Sequence, residues 1–492
     1  MMKNITLSIA MLFLVTGTVM AQKLSVMYPD TLLKQPFTGN ILVYLSKTNS
    51  NPKSGIAGLD IFPCLRVYVK NVKAGVPVII DDKAIAFPVA LSDMERGEYY
   101  VQVVWDRNFG GRSIAESPGN LSAATQKINF TKDVSKIFTI QAGNILPETV
   151  FKDTQYAKEF KVPSVLLSKF HHGSKTISAA VLLPEKYYTE PRRKFPVRYE
   201  VSGYGGNYHR YSGYSKPAPL MDTTACIVVY LDGECALGHS VYANSDNNGP
   251  WGDALTKELI PAVEKTYRCD GARFLYGHSS GGWSVLWLQS HYPKVFDGCW
   301  SSSPDPVDFR SFERVNLYDH QNMFYGKDGS LNQTGTVDGV FPWFSMRNTY
   351  QMEKVIYRGE QMHSFDAVFS KKGADGQPLR ICNDLTGEID TTVFNHWKNY
   401  DISLYLRTNW NQLKGDLDGK VMVSVGTYDN FYLNHSVKLL DSEMQKLNST
   451  FVFAYYNADH FLVELPENMK AGKEFLEKRH QLWLEKQDVI KN

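Results

Sequence analysis

The 492-residue sequence has few cysteines, no excess of one charge and, after its first residues, no long hydrophobic run. Its 53 Lys and Arg residues nearly balance 51 Asp and Glu residues, and no basic cluster stands out. Proteins that bind nucleic acid through its phosphates need such a cluster, so nucleic-acid binding is not expected. The composition, 43% hydrophobic and 13% aromatic, is typical of globular proteins, and the length predicts about two to four domains.

The six cysteines have neither the pairing nor the spacing of a metal site. The sequence contains no CxxC pair and no Cys and His cluster at ligand spacing, so we expect no metal and no organic cofactor. Cys226 and Cys299 lie in apolar segments, which predicts buried free thiols. Cys235 and Cys269 flank one helical segment and could form a disulfide.

The first 21 residues differ from the rest of the sequence. Lys3 precedes an almost uncharged apolar run from Ile5 to Val19, and Val19-Met20-Ala21 resembles a cleavage site. The run is shorter than the roughly 20 residues of a spanning helix, which makes a membrane anchor the less favoured alternative. We therefore predict a signal peptide over residues 1–21, cleaved near Ala21, and a secreted or periplasmic protein without stable membrane insertion.

Residues 22–145 are predicted to form an accessory β-sandwich domain. Segments such as 41–47, 64–72 and 99–106 are rich in β-branched and aromatic residues and are separated by turns, with no convincing helical period. This spacing of short strands is typical of a sandwich. Trp105 could belong to a sugar-binding face, although strand aromatics are more often core residues.

After residue 145 the pattern changes to strands that alternate with amphipathic helices, which predicts a mainly parallel α/β sheet. The segment CIVVYLDGE (226–234) is almost continuously apolar, as expected for a strand that is covered on both faces. The segment 252–267 has apolar residues at helical spacing and is interrupted by Pro261.

The most specific motif is Gly277-His278-Ser279-Ser280-Gly281. It follows a short strand, 274–276, and precedes a helical run. A serine in this context lies on a sharp turn, which needs glycine on both sides and lifts the hydroxyl above the sheet. We predict that Ser279 is a nucleophile.

A nucleophilic serine needs a histidine base, and the base needs a carboxylate. Residues 420–456 are predicted to form a strand, a helix and a second, parallel strand, so the loops after both strands should emerge at the same sheet edge as Ser279. Asp429 follows the first of these strands, and His460 follows the second. Asp305, which follows an earlier strand, is the alternative acid. Three other histidines follow no convincing strand and are expected to be surface or core residues: His363, His396 and His435.

Two backbone N–H groups should bind the oxyanion of an ester intermediate. One belongs to Ser280, the residue after the nucleophile, and the other to the loop after the third core strand. That loop reads Ser202-Gly203-Tyr204-Gly205-Gly206. Gly203 or Tyr204 is the expected donor, and the sequence does not distinguish between them.

The chain resembles the putative-esterase family of α/β-hydrolases, which includes feruloyl and acetylxylan esterases, enterochelin-type siderophore esterases and S-formylglutathione hydrolase. The resemblance rests on FPVRYEVSGYGG, VVYLDGE, GPWGDALTKELIPAVEKTY, RFLYGHSSGGW, VGTYDNFYL and ADHF. It implies an α/β-hydrolase domain over residues 146–492, with Ser279, Asp429 and His460 as the catalytic triad.

The chain differs from compact members of that family by an insertion at 305–419, after the sixth core strand. Long insertions inside a domain are usually functional or disordered, and the aromatic content of this one argues against disorder. We therefore predict a lid. Trp343 and Trp397 could line a pocket, although packing within the insertion's own core is the more common role.

These features predict an exported serine carboxylesterase that works through an acyl-enzyme on a small-molecule or polysaccharide ester, with feruloyl or acetyl esters as the first choice. A siderophore esterase is the alternative and would need a basic cleft. A serine peptidase and a non-catalytic binding protein are less favoured. Because all predicted catalytic groups come after residue 195, we expect residues 22–145 to be dispensable for hydrolysis of small soluble esters.

Overall fold

A computed structural model describes residues 22–54, 62–131, 133, 135–319, 322–337, 339–462 and 465–491. The predicted signal peptide at 1–21 lies outside the described residues. No helix in the described part of the chain is both long enough and apolar enough to cross a membrane.

The N-terminal residues form strands in which β-branched and aromatic side chains are concentrated. The strands are β1 (Lys23–Met27), β2 (Phe37–Ser46), β3 (Cys64–Val72), β4 (Val78–Ile80), β5 (Ile85–Phe87), β6 (Gly97–Asp106), β7 (Leu121–Ser122), β8 (Gln126–Phe130), β9 (Ile137–Gln141) and β10 (Asn144–Ile145). One sheet has the order β4-β1-β9, and the other has the order β10-β7-β6-β2-β3-β5, with β8 paired to β6. Leu24 and Ile140 of the first sheet share a buried core with Val43 and Trp105 of the second, so Trp105 is a core residue.

The remaining strands include those of a large mixed sheet. They are β11 (Ala157–Pro163), β12 (Thr176–Leu182), β13 (Phe195–Val201), β14 (Ile227–Leu231), β15 (Glu234–Cys235), β16 (Gly238–His239), β17 (Asn244–Ser245), β18 (Gly249–Pro250), β19 (Cys269–His278), β20 (Gly298–Ser302), β21 (Gln333–Val337), β22 (Phe341–Ser345), β23 (Val421–Gly426) and β24 (Val452–Tyr456). The large sheet has the order β11-β12-β14-β13-β19-β20-β23-β24. Its first two pairings are antiparallel, and the strands from β14 to β24 are parallel.

Helices cover both faces of this sheet, which confirms the predicted α/β fold. They are α1 (Val165–Phe170), α2 (Lys186–Thr189), α3 (Trp251–Ala254), α4 (Ile260–Thr266), α5 (Ser280–His291), α6 (Met346–Ile356), α7 (Gln361–Phe369), α8 (Thr391–Trp397), α9 (Ile402–Leu417), α10 (Leu433–Lys446) and α11 (Pro466–Lys491). Val229 of β14 packs in the core that contains α4 and α5, whereas its neighbour Val228 packs in the core that contains Leu476 of α11. Burial on both faces explains the continuous apolar run of this strand.

A π-helical turn, Leu255–Leu259, joins α3 to α4. Pro261 follows this turn and has no N–H group to donate within the helix. The wider turn accommodates the missing hydrogen bond, so the helical segment continues through the proline.

The insertion after β20 contains the hairpin of β21 and β22 and the helices α6 to α9. Trp397 is fully buried among aromatic side chains that include Phe309 and Phe369. It therefore belongs to the core of the insertion. Helix α6 packs against the N-terminal sheet, where Val355 and Ile356 share a core with strand residues of β2, β3 and β6.

Arg358, just after α6, ties the insertion to the two other parts of the chain. Its guanidinium group forms a bidentate ion pair with Asp106 at the end of β6, with N–O distances of 2.9 and 3.0 Å. It also donates to the carbonyl groups of Gly111 at 2.7 Å and Ala236 at 2.9 Å. The side chains of Arg358 and Asp106 are only 3% and 0% exposed, so neither charge has access to water.

We predict that Arg358→Ala lowers the free energy of unfolding by about 3–5 kcal/mol, because it leaves a buried carboxylate without its partner. Urea unfolding followed by tryptophan fluorescence measures the change. Lys127→Ala is the control, since the ion pair of Lys127 with Glu98 is exposed to solvent and should leave the unfolding midpoint unchanged. Equal shifts in the two variants would contradict the role given to Arg358.

Candidate active site

Ser279 lies on a strained turn between β19 and α5, with φ 59° and ψ −127°. The turn leaves no room for side chains on the flanking glycines. A Cβ atom on Gly277 would lie 2.2 Å from the carbonyl oxygen of Gly281, and one on Gly281 would lie 2.1 Å from that of Val201. The spacing of glycines in the motif is therefore a steric requirement of the turn that presents Ser279.

The parallel strands β23 and β24 bring Asp429 and His460 to the same edge of the sheet. His460 Nδ1 lies 2.8 Å from Asp429 Oδ2, and both side chains are buried. Asp429 Oδ1 accepts a hydrogen bond from the N–H group of Phe431 at 2.9 Å, and the N–H group of His460 donates to Asn430 Oδ1 at 2.9 Å. These bonds fix the carboxylate against the imidazole ring.

Burial alone would lower the pKa of His460, but the charge of Asp429 and the hydrogen bond to it outweigh burial and raise this pKa above the usual histidine value. The ring of His278 lies beside that of His460, with 4.6 Å between the ring centres. Burial and the nearby His460 lower the pKa of His278 well below its ordinary value, which keeps His278 neutral. Of the two rings, His460 is thus the one that can accept a proton.

Asp305, the alternative acid, contacts the serines of the motif. Its Oδ2 accepts a hydrogen bond from Ser280 Oγ at 2.6 Å, and its Oδ1 lies 3.5 Å from Ser279 Oγ. Burial raises the pKa of Asp305 to about 6. Within the described residues, no hydrogen bond links Asp305 to the His460 ring or Ser279 Oγ to that ring. Transfer of a proton from Ser279 to His460 therefore requires a hydrogen bond that this conformation does not contain among the described residues.

The loop with the predicted oxyanion donors runs beside the nucleophile. A Cβ atom on Gly203 would lie 3.4 Å from Ser279 Cβ. Ser280 is the first residue of α5, so its N–H group has no acceptor within the helix. The side chain of Tyr204 donates its hydroxyl hydrogen to Glu360 at 2.7 Å. The structure thus brings Gly203 and Ser280 together at Ser279.

Ser279 and His460 line a cavity of about 530 Å³. The insertion supplies much of its wall, including Phe344, Met352 and Gln361. A larger cavity of about 950 Å³ shares Arg112 with it but does not contain Ser279. The smaller cavity is therefore the one in which a substrate can reach the nucleophile.

Four acidic side chains of the insertion line this cavity, and all four are buried: Asp305, Glu313, Glu353 and Glu360. Burial raises the pKa of Glu353 to about 8 and also raises the pKa of Glu360. Among them, only Asp305 follows a strand that the sequence predicts. The three glutamates belong to no local motif, because only the folding of the insertion brings them to Ser279.

Arg112, from the loop between β6 and β7, is the basic side chain of the cavity wall. It donates to the Tyr204 hydroxyl at 2.8 Å and to the carbonyl of Gly359 at 3.3 Å, and it lies 3.5 Å from Glu234. The N-terminal residues therefore help to build the cavity. This contact conflicts with the expectation that residues 22–145 are dispensable for hydrolysis of small esters.

The described residues contain no group of three or more His, Cys, Asp or Glu side chains that could hold a metal ion.

All six cysteines are free thiols, so no disulfide joins Cys235 to Cys269. Of the three other histidines, His435 is an exposed residue of α10. His363 is buried beside Arg380, and the ring of His396 contacts the carbonyl group of Phe369 at 2.7 Å.

The fold and this cluster of serine, histidine and aspartate define an α/β serine hydrolase. A model of the family described as "Putative esterase" matches residues 173–476, and the chain belongs to this family. The family expected from the sequence motifs is thereby confirmed.

Solved structures similar to this chain include three esterases or related hydrolases. A ferulic acid esterase is 12% identical, with 66% of this chain and 100% of that chain covered and a TM-score of 0.37. An S-formylglutathione hydrolase from Agrobacterium tumefaciens is 14% identical, with 68% and 98% covered and a TM-score of 0.37. Est1E from Butyrivibrio proteoclasticus is 11% identical, with 66% and 99% covered and a TM-score of 0.35. No curated protein matches the chain.

We predict that Asp429→Asn lowers the pKa of His460, because the charge that offsets burial is removed. NMR titration of the imidazole nitrogens in wild type and variant measures the change. Asp459→Asn is the control, since the carboxylate of Asp459 makes the smallest of the described contributions to this pKa and should lower it less. An unchanged pKa in Asp429→Asn would show that Asp429 does not act on the ring.

Proposed function

We propose that this protein is an exported serine carboxylesterase that works through an acyl-enzyme. The observation that carries the proposal is the His460–Asp429 pair at the same sheet edge as Ser279, in a chain of the esterase family. Export is inferred from residues 1–21, and N-terminal sequencing of the protein recovered outside the cytoplasm tests it.

In the proposed reaction, Ser279 rotates toward His460 and attacks the ester carbonyl while His460 Nε2 takes its proton. Asp429 holds the Nδ1–H group and stabilises the imidazolium. The N–H groups of Ser280 and of Gly203 or Tyr204 bind the oxyanion. His460 then protonates the leaving alcohol, and water releases the acyl group by the same route. The reaction needs no metal or organic cofactor.

We also infer that the insertion at 305–419 acts as a lid. It supplies Phe344 and Met352 to the wall of the cavity that contains Ser279, and partial exclusion of water strengthens the electrostatic interactions within such a site. The ion pair between its Arg358 and Asp106 supports this role, because it holds the insertion against the N-terminal strands.

Within the carboxylesterases, we propose a feruloyl or acetyl ester on a polysaccharide as the substrate. This choice is supported by the proposed export and by the N-terminal β-sheets, because both features suit an enzyme that acts on polymers. The residues of the cavity wall do not favour the siderophore alternative, which would need a basic cleft. An anionic ferric chelate would meet four carboxyl groups and a single arginine, which is already paired.

We predict that the mature protein hydrolyses short-chain nitrophenyl esters and that Ser279→Ala reduces this rate by several orders of magnitude with an unchanged fold. The panel also contains methyl ferulate and acetylated xylan, which test the finer assignment. Ser50→Ala, at an exposed serine, is the matched control and should keep full activity. Retention of about a tenth of the wild-type rate by a normally folded Ser279→Ala protein would overturn the nucleophile assignment.

We predict that Asp429→Asn lowers kcat by about 10⁴-fold, because the ring of His460 loses the group that fixes its tautomer. Asp305→Asn should cost far less, since Asp305 makes no hydrogen bond with the ring within the described residues. Initial rates on nitrophenyl acetate compare the two. A larger loss from Asp305→Asn than from Asp429→Asn would assign the acid to Asp305.

A further inference from the structure

We propose that the cavity at Ser279 selects esters that carry an ammonium group, and that Glu313 is the residue that pairs with it. This inference rests on the proposed esterase function and narrows its substrate class. The inference applies to an ammonium group in the acyl part of the ester and to one in the alcohol part. For a polysaccharide substrate, it would mean an ester on a sugar with a free amine.

Glu313 is the acidic side chain of the cavity that has no partner. It is 5% exposed, its Oε2 atom is buried, and no hydrogen bond or ion pair to it exists within the described residues. The neighbouring Arg314 does not neutralise it, because that guanidinium group lies over the ring of Tyr432, 5.0 Å from the ring centre. A buried carboxyl group without a partner is costly, which makes its position beside a substrate cavity informative.

The other three acidic side chains of the cavity already have partners. Glu353 accepts hydrogen bonds from the N–H groups of Met362 at 2.9 Å and His363 at 2.8 Å, at the start of α7. Glu360 accepts the hydroxyl hydrogen of Tyr204, which is also bound by Arg112. Asp305 accepts from Ser280. Within the described residues, Glu313 is thus the only one of the four carboxyl groups that accepts no hydrogen bond.

The backbone at Glu313 shows that its side chain is held in place at a conformational cost. Glu313 and Arg314 have φ values of 45° and 73° and form a tight turn, closed by paired hydrogen bonds of 2.8 Å between Phe312 and Val315. Turns with two positive φ values favour Asn and Gly, so glutamate is an unfavourable residue here on backbone grounds. The burial of Glu313, with Asp305, Glu353 and Asp429 nearby, raises its pKa well above the usual range. A bound cation would offset the electrostatic cost of the buried carboxyl group.

The rest of the cavity wall suits an organic cation. The described residues offer no cluster that could hold a metal ion. Aromatic rings of Phe344, Phe431 and Phe461 line the cavity with Glu313. Aromatic faces together with a carboxylate are the environment in which proteins bind ammonium groups. A protonated amine would also supply the hydrogen-bond donor that the Glu313 carboxyl group lacks within the described residues.

Two pairs of esters that differ only in charge test the proposal on purified mature protein. On the acyl side, 4-nitrophenyl 6-aminohexanoate is compared with 4-nitrophenyl heptanoate. On the alcohol side, acetylcholine is compared with 3,3-dimethylbutyl acetate. We expect kcat/KM to be at least about tenfold higher for the charged ester than for the neutral ester in one of the two pairs. The pair that shows this difference identifies whether the acyl part or the alcohol part carries the ammonium group.

Glu313→Gln removes the charge at constant size and should bring the ratio of charged to neutral kcat/KM close to one. Glu474→Gln, at an exposed glutamate of α11, is the matched control and should leave the ratio unchanged. If the wild type hydrolysed each neutral ester as fast as its charged counterpart, or faster, the inference would be overturned and the esterase function would stand. An unchanged ratio in Glu313→Gln would overturn the assignment to Glu313.

Binding to Ser279→Ala separates failure of the inference from failure of the proposed function. Calorimetry on this variant with each pair of esters requires no hydrolysis. Tighter binding of a charged ester, lost in the Ser279→Ala and Glu313→Gln double variant, supports the inference even if the wild type hydrolyses none of the esters. Equal binding of charged and neutral esters overturns it.

Discussion

The buried ion pair between Arg358 and Asp106 fixes where the insertion lies on the rest of the protein. Arg358 also donates to carbonyl groups of the N-terminal part and of the hydrolase body, so one side chain joins three parts of the chain. Residues that follow it directly, including Glu360 and Gln361, line the cavity. The composition of the cavity wall therefore depends on an interaction whose own two residues do not line the cavity.

The sequence could predict the positions of Ser279, Asp429 and His460 because each position follows from local geometry. The turn at Ser279 tolerates only glycine at 277 and 281, because the backbone passes within about 2 Å of where a side chain would begin. Asp429 and His460 could be placed together because two parallel strands joined by a helix end at the same sheet edge. Such constraints act over a few residues and leave a pattern in the sequence.

The rest of the cavity wall could not be predicted, because it depends on contacts between distant segments. Arg112 reaches the cavity from the N-terminal part, and no motif surrounds it. Near residue 145 the sequence changes from a strand-rich pattern to alternating strands and helices. This change indicates secondary structure but not which distant segments pack against each other. For that reason the pattern supported a dispensable N-terminal part, whereas Arg112 and the core shared with α6 bind it to the site.

The acidic cavity has opposite effects on the two charges that develop in the proposed reaction. An imidazolium at His460 is stabilised by Asp429 and by the nearby Asp305, both of which raise the pKa of the ring. The same carboxyl groups would oppose an oxyanion. In the proposed reaction, the backbone N–H groups of Ser280 and of the Gly203 loop would have to offset this repulsion, because Asp305 itself accepts a hydrogen bond from Ser280 Oγ.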